Sequence, residues 1–266
     1  MSTYRVPIVL PSLDSLRQEG QLDSEPPAVF LKALHDSGIE PALGARLCGY
    51  VALLTSSNKL LNLTALKDRE AVWMTLVFDA LQLTPEYAGF AEGTNVLDVG
   101  CGGGLPGVPL AIAFPQLSFT LLDATQKKID FIAHVKRELG LSNLHAICGR
   151  AEELGKVFND VRPEGNLRET FDVVSARALA RLPTLLELTT PFVKPAKKKG
   201  VCNVIYVKGE QFQDELAEAK EALFKLRTQY LGAREHATGR VLCLSKHART
   251  PPNFPRANGV PRKQPL

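Results

Sequence analysis

The sequence predicts an α/β protein: a mostly parallel sheet with helices on both faces, preceded by an N-terminal helical cap. Three observations carry this. From residue 94 to about 246, short apolar runs alternate with segments of helical spacing, the pattern of consecutive βαβ units. Residues 96–107, VLDVGCGGGLPG, compress a strand, a glycine-rich turn and a helix opening into one stretch. The apolar runs also end in polar groups at Asp98, Asp123, Gly149-Arg150-Ala151-Glu152 and Arg177. In an open parallel sheet those ends share the carboxyl edge, where ligands bind.

The elements follow in order. Residues 1–26 are rich in proline and polar side chains and are expected to be irregular. Residues 27–90 form the cap, with Leu43, Leu47, Tyr50, Val51 and Leu54 at helical spacing. A second helix is expected over 71–83, with Asp68 as its N-cap. Between them, Asn58, Asn62 and Thr64 interrupt the apolar run NKLLNLTAL. The sheet domain, 91–246, places strands at 96–99, 117–122, 144–148, 171–175 and 201–207, and helices at 105–114, 125–140, 181–193 and 210–230. Residues 230–235 and 240–245 are expected to pair antiparallel through a turn at 237–239. A basic, proline-rich tail, 247–266, ends the chain.

Composition narrows the function classes. The 266 residues are 45% hydrophobic, enough for one large core, and no apolar run is long enough to span a membrane. The first residues lack the basic and apolar regions of a signal peptide, so a cytoplasmic protein is expected. Five widely spaced cysteines without a CxxC pair argue for free thiols in a reducing compartment and against a zinc site; no metal is expected. The net charge of +4 is mild, but its distribution is not. Residues 246–266 carry Lys246, Arg249, Arg256, Arg262 and Lys263 with no acid, and a second basic run fills 194–199. Two such segments point to a polyanionic partner whose phosphates they neutralise.

The glycine turn has its own chemistry. Gly100, Gly102 and Gly104 alternate as G-x-G-x-G, with Asp98 two positions upstream. A dinucleotide-binding loop reads G-x-G-x-x-G, so a nicotinamide oxidoreductase is disfavoured. The form here is the one used by enzymes that bind S-adenosylmethionine (SAM). Asp98 is expected to support the loop. Asp123, at the end of the second strand, is placed to hold ribose hydroxyls, and 149–152 to meet adenine.

Four blocks together resemble one family, the bacterial small-subunit rRNA guanine-N7 methyltransferases, also called glucose-inhibited division protein B. They are the N-x-x-x-N-L-T-A core within 58–66, residues 97–112 with Leu105-Pro106-Gly107, FDVVSARA at 171–178, and the tail from Thr250-Pro251 to Leu266. The resemblance implies a class I SAM-dependent methyltransferase (Rossmann-like) fold. It also implies methyl transfer from SAM to N7 of one guanine of 16S rRNA (position 527 in reference numbering), leaving S-adenosylhomocysteine. Gly100, Leu105, Ala151, Glu152 and Arg177 are its SAM contacts; Asp98, Gly102, Gly104 and Asp123 are added from the residues themselves. Its partner is 16S rRNA or the small ribosomal subunit, and a monomer is expected.

No catalytic dyad is expected, because guanine N7 is a neutral in-plane lone pair that needs no base. Arg177 is assigned alignment of the reacting groups. Asn62 and Thr64 are candidates to hold the unstacked base, and Arg256, Arg262 and Lys263 to bind RNA backbone. His134 and His145 read as surface or helix-end residues. The chain departs from the family pattern twice: Leu76 stands where its H-x-x-D-S-L helix has histidine, and 194–203 replace a short K-P-G-G turn. The alternatives are a SAM enzyme acting on another RNA or a protein, and a non-catalytic RNA-binding module.

Overall fold

β1 (Asn95–Val99) is the pivot of a seven-stranded sheet with order β3-β2-β1-β4-β5-β7-β6. The computed structural model describes residues 8–23, 25–157 and 167–266. From β1 the chain steps outward to β2 (Ser118–Asp123) and β3 (Leu144–Cys148). It then crosses back to β4 (Val173–Arg177) and β5 (Val204–Lys208) on the other side of β1. These five strands are parallel. β6 (Thr228–His236) and β7 (Gly239–Lys246) form the antiparallel hairpin expected from the sequence, with β7 antiparallel to β5. The order reverses between β1 and β4, the switch point at which such sheets open a ligand crevice. A parallel five-stranded sheet closed by one antiparallel hairpin is the class I methyltransferase arrangement.

Alternation along the strands divides the core between the two faces. Val96, Phe119, Val173 and Ile205 join one apolar cluster, while Leu97, Leu122, Val174 and Tyr206 join the other. Helices Gly107–Ala113 and Gln126–Leu139 cover the first face; Leu182–Thr189, Phe212–Glu218 and Lys220–Lys225 cover the second. All five residues of β5 are buried, which explains why VIYVK reads as a continuous apolar run. Helices Ala28–Asp36 and Gly44–Leu61 and a helix over 69–81 extend the first face into the cap. Phe30 and Trp73 meet there at 4.6 Å between ring centroids.

The structure differs from the sequence expectations in four places. Residues 13–18 are helical rather than irregular: Ser12 caps the first turn by accepting the Ser15 amide, and Leu16 is buried. Residues 1–7, in the same predicted segment, lie outside the described residues. The helix over 69–81 begins as expected, with the Asp68 carboxylate accepting the Ala71 amide, but its turns across Val72–Phe78 are π-helical. The helix expected to 230 stops at Lys225, because Arg227 takes a left-handed backbone (φ 58°) and Thr228 pairs with Lys246. His134 is buried, its Nε2 2.8 Å from the Pro11 carbonyl oxygen, so the N-terminal segment covers what the sequence left exposed.

Candidate functional site at the carboxyl edge

Val99, Asp123, Cys148, Arg177 and Lys208 end five neighbouring parallel strands on one edge. The glycine turn crosses that edge between β1 and helix Gly107–Ala113. Gly100, Gly102 and Gly104 all adopt positive φ, at 77°, 57° and 93°. At Gly104 a side chain is also excluded by contact, since a Cβ would lie 2.6 Å from Val108 and 2.8 Å from Ile132. At Gly102 a Cβ would meet nothing within 4 Å, so bare backbone faces open space there.

Two buried acids fix the turn. Asp98 Oδ2 accepts the Gly107 amide at 3.0 Å, the first N–H of the following helix. Its Oδ1 is buried without a hydrogen-bond partner. Burial pushes the Asp98 carboxyl up to about 7, against the opposing pull of the Gly107 amide and the Arg177 charge. Asp123 accepts the Gly102 amide through Oδ2 at 3.1 Å and the Thr125 amide through Oδ1 at 2.9 Å. From the cap, the buried Tyr50 donates its hydroxyl to the Gly103 carbonyl at 2.8 Å. The turn is therefore braced from β1, β2 and the cap together.

A small cavity of about 80 Å³ opens beside the turn, lined by Gly100, Asp123, Gly149, Ala151, Glu152 and Arg262 among others. Leu179 closes its mouth; a Cβ on Gly100 would lie 2.6 Å from Leu179 Cδ1. The segment carrying Leu179 is tethered by Lys208 Nζ, which donates to the Ala180 carbonyl at 2.8 Å and pairs with Glu215 at 2.7 Å. Glu152 is buried and accepts the Gly259 amide at 3.2 Å. The structure thus brings Gly100, Asp123, Ala151 and Glu152 together around one crevice, while Asp98 and Gly102 belong to the turn beside it, bonded to the Gly107 amide and to Asp123. Gly104 and Leu105 sit behind the turn, where the Leu105 amide donates to the Cys101 carbonyl.

Arg177 is engaged with the cap. Its Nη1 lies 2.9 Å from Asp79 Oδ2, and its Nη2 donates to the Thr75 carbonyl at 3.1 Å. The N-L-T-A block packs against the glycine turn, since a Cβ on Gly103 would be 3.4 Å from Leu63 Cβ. Asn58 shapes this block: its Oδ1 accepts the Leu63 and Thr64 amides, and its Nδ2 donates to the Thr64 carbonyl. Asn62 ends helix Gly44–Leu61 in the left-handed conformation, and Thr64 Oγ1 accepts the Leu66 amide. Asn58, Asn62, Thr64 and Lys67 line an open cleft of about 850 Å³.

The basic segments are placed differently from the expectation. Arg256 forms a bidentate pair with the fully buried Glu187, at 2.6 Å for the closest contact, and donates to the Gln264 carbonyl. Its guanidinium holds the tail to helix Leu182–Thr189, a structural partner that the sequence did not show. Lys246 is fully buried, donating to Glu169 and to the Thr190 and Val193 carbonyls, and burial lowers its amine to about 8. Arg262 lines the crevice itself, and Lys263 beside it is exposed to solvent. Lys197, Lys198 and Lys199 are exposed near the starts of β4 and β5, on the edge opposite the glycine turn. The altered 194–203 segment therefore leaves the carboxyl edge unchanged.

Sequence reasoning missed Asp79, His236, Leu179, Lys208 and Tyr50. A buried tyrosine needs a hydroxyl partner, so Tyr50 within an apolar helix face was the one legible signal. Among the described residues no group of three or more His, Cys, Asp or Glu is arranged to hold a metal ion, and all five cysteines are free. Among the same residues no helix is long and apolar enough to cross a membrane.

The comparisons with known proteins agree with this geometry. A family model described as rRNA small subunit methyltransferase G matches residues 44–241. A ribosomal RNA small subunit methyltransferase G of Sorangium cellulosum is 39% identical over 253 residues, covering 94% of this chain and 97% of the relative. Its counterpart from Lactococcus lactis subsp. cremoris is 36% identical over 224 residues, covering 82% and 88%. Among solved structures, a SAM-dependent methyltransferase from Aquifex aeolicus superposes with a TM-score of 0.47 at 16% identity, over 66% of this chain and 92% of that one. With a sheet of this order, a turn of this form and relatives matched almost end to end, the chain belongs to the rRNA small subunit methyltransferase G family.

Proposed function

We propose that the protein transfers the methyl group of SAM to N7 of one guanine in 16S rRNA, with the small ribosomal subunit or its RNA as substrate. The observation that carries this reading is the pairing of two surfaces at the carboxyl edge. The crevice of Gly100, Asp123 and Glu152 opens at the glycine turn, and the Asn58–Thr64 loop packs against the same turn at Gly103.

The residues present fit the cofactor. Gly102 offers bare backbone, Asp123 a carboxylate at the end of β2, and Asp98 Oδ1 a buried acceptor without a partner. Bound SAM supplies an already activated methyl on a sulfonium, so the hard chemistry is the cofactor's. Asp123 would hold its ribose and Ala151 and Glu152 its adenine, while the buried Asp98, charged above about pH 7, would favour a cation near the turn. Arg262, expected to meet RNA, lines the crevice and is exposed at its rim, where it would be within reach of cofactor and RNA alike. Admitting a nucleoside into a cavity of this size requires Leu179 to swing off Gly100.

The protein's remaining task is alignment and exclusion of water. Guanine N7 needs no proton removed, and no base is assigned. Asn62 and Thr64 border the cleft in which an unstacked base is held, and Arg177 fixes the angle between cap and cofactor crevice. Lys263 meets the RNA backbone at the rim. The cap over 27–90 presents RNA, the sheet domain over 91–246 holds SAM, and the tail over 247–266 closes the crevice. The protein acts as a monomer in the cytoplasm.

The test is incubation with methyl-labelled SAM and small subunits lacking the modification, with naked 16S rRNA in parallel. Label at N7 of a single guanine is the expected result. Label on another RNA or on a protein, with SAM bound normally, would move the substrate and leave the cofactor site standing.

A further inference from the structure

We infer that Asp79 is the positioning residue for Arg177, and that the β6–β7 hairpin, through His236 and Thr238, sets how Asp79 is held. The inference rests on the reading of Arg177 given above. Three segments far apart in sequence converge on one carboxylate that has no exposed surface. Asp79 Oδ2 lies 2.9 Å from Arg177 Nη1, at the carboxyl end of β4. Asp79 Oδ1 accepts the Thr238 hydroxyl at 2.6 Å and lies 3.0 Å from His236 Nδ1. His236 Nε2 is 2.8 Å from the Asp79 carbonyl oxygen, so one imidazole nitrogen faces the backbone and the other the side chain of the same residue.

The helix is distorted where this happens. The π-helical turns over Val72–Phe78 immediately precede Asp79, and the Thr75 carbonyl within them accepts from Arg177 Nη2. A π turn inside an α-helix is uncommon and concentrates at functional positions. Stability alone gives no reason for the arrangement, because a buried ion pair contributes little beyond what well-packed apolar residues would. What it supplies is a fixed geometry. Arg177 is held at two nitrogens from the cap side, next to Asp98, whose ionisation its charge favours. The cap and the hairpin thereby set the direction of the Arg177 guanidinium.

A double-mutant cycle tests this, read as the single-turnover methylation rate on small subunits and, separately, as SAM affinity. Asp79→Asn keeps size and loses charge; Arg177→Lys keeps charge and loses the fork. Each is expected to slow methyl transfer roughly 100-fold, the cost of a misplacement near 1 Å, and the double variant is expected to be no slower than either alone. Thr238→Val removes only the 2.6 Å hydroxyl bond and is expected to slow transfer by about tenfold or less, with SAM affinity unchanged. It also carries the test if Asp79→Asn does not fold, and a wild-type rate in Thr238→Val would then overturn the inference. So would a double variant whose losses multiply, or a folded Asp79→Asn that methylates normally while Arg177→Lys does not. If Arg177→Lys itself is normal, the assignment of Arg177 has failed first.

Discussion

The glycine turn and the C-terminal tail are both dense in sequence signals, and they use their residues in opposite ways. In the turn, residues 100–107 work through backbone: positive φ at three glycines, the Gly102 amide donated to Asp123 and the Gly107 amide to Asp98, and an open face at Gly102. The tail and the strand before it are tied down through charged side chains. Arg256 pairs with Glu187, Lys246 with Glu169, and Arg168 donates to the carbonyls of Thr250, Pro251 and Phe254. A backbone device is local, so its meaning is written in its own few residues. A charge acquires meaning only from its partner, and these partners lie some 70 to 80 positions away. The difference is between signals a short window contains and signals only the fold completes.

The largest expected effect breaks the tail. Glu187→Ala leaves the partly exposed Arg256 guanidinium without its buried partner and should destabilise the protein by about 3 kcal/mol in denaturant melts, the lower end for a broken buried pair. If the tail were merely a solvated basic arm, the loss would be negligible. Next comes the turn. Gly104→Ala must push Val108 and Ile132 aside at φ 93°, costing about 1–3 kcal/mol and abolishing SAM binding by calorimetry, whereas Gly102→Ala, with open space, should fold with less disturbance.

A pH series sharpens the comparison further. The folded state holds the Asp98 proton up to about pH 7, against 3.8 for an unperturbed side chain. Stability from this group is therefore complete at low pH, below its unfolded value, and is lost as pH rises through about 7. Relative to Asp98→Asn, the wild type should lose up to about 1.4 kcal/mol per pH unit across that window. Parallel curves would show that the carboxyl is not held up by burial. The smallest effect belongs to the rim. Lys263→Ala should change stability by less than about 0.5 kcal/mol and lower the salt dependence of RNA binding by about one unit of slope.

Much of the fold was legible for the same physical reason as the turn. Four of the five parallel strands, β1, β2, β4 and β5, are apolar runs largely buried on both faces, and the β6–β7 hairpin announces itself by two β-rich runs around Gly239. Asp98 and Asp123 were readable because strand ends and turn amides fix where acids can serve. Residues 13–18 were not, because a six-residue helix has too little periodicity, and what holds it is Leu13 and Pro11 meeting Glu138 and His134 across the fold. Asp79 stands at the acidic position of the H-x-x-D-S-L pattern, yet nothing in that helix shows that Arg177 and His236 arrive beside it. Arg262 was read by its charge, and only the path of the tail past Glu152 brings it to the crevice.

The central claim is that SAM is held at the carboxyl edge, across the glycine turn, with the tail as its outer wall. Amide hydrogen exchange with and without SAM tests it most directly. The account predicts new protection at residues 98–107, 122–125, 149–153 and 259–263, and none over 194–203 on the opposite edge. Protection over 194–203 with an unchanged glycine turn would contradict it.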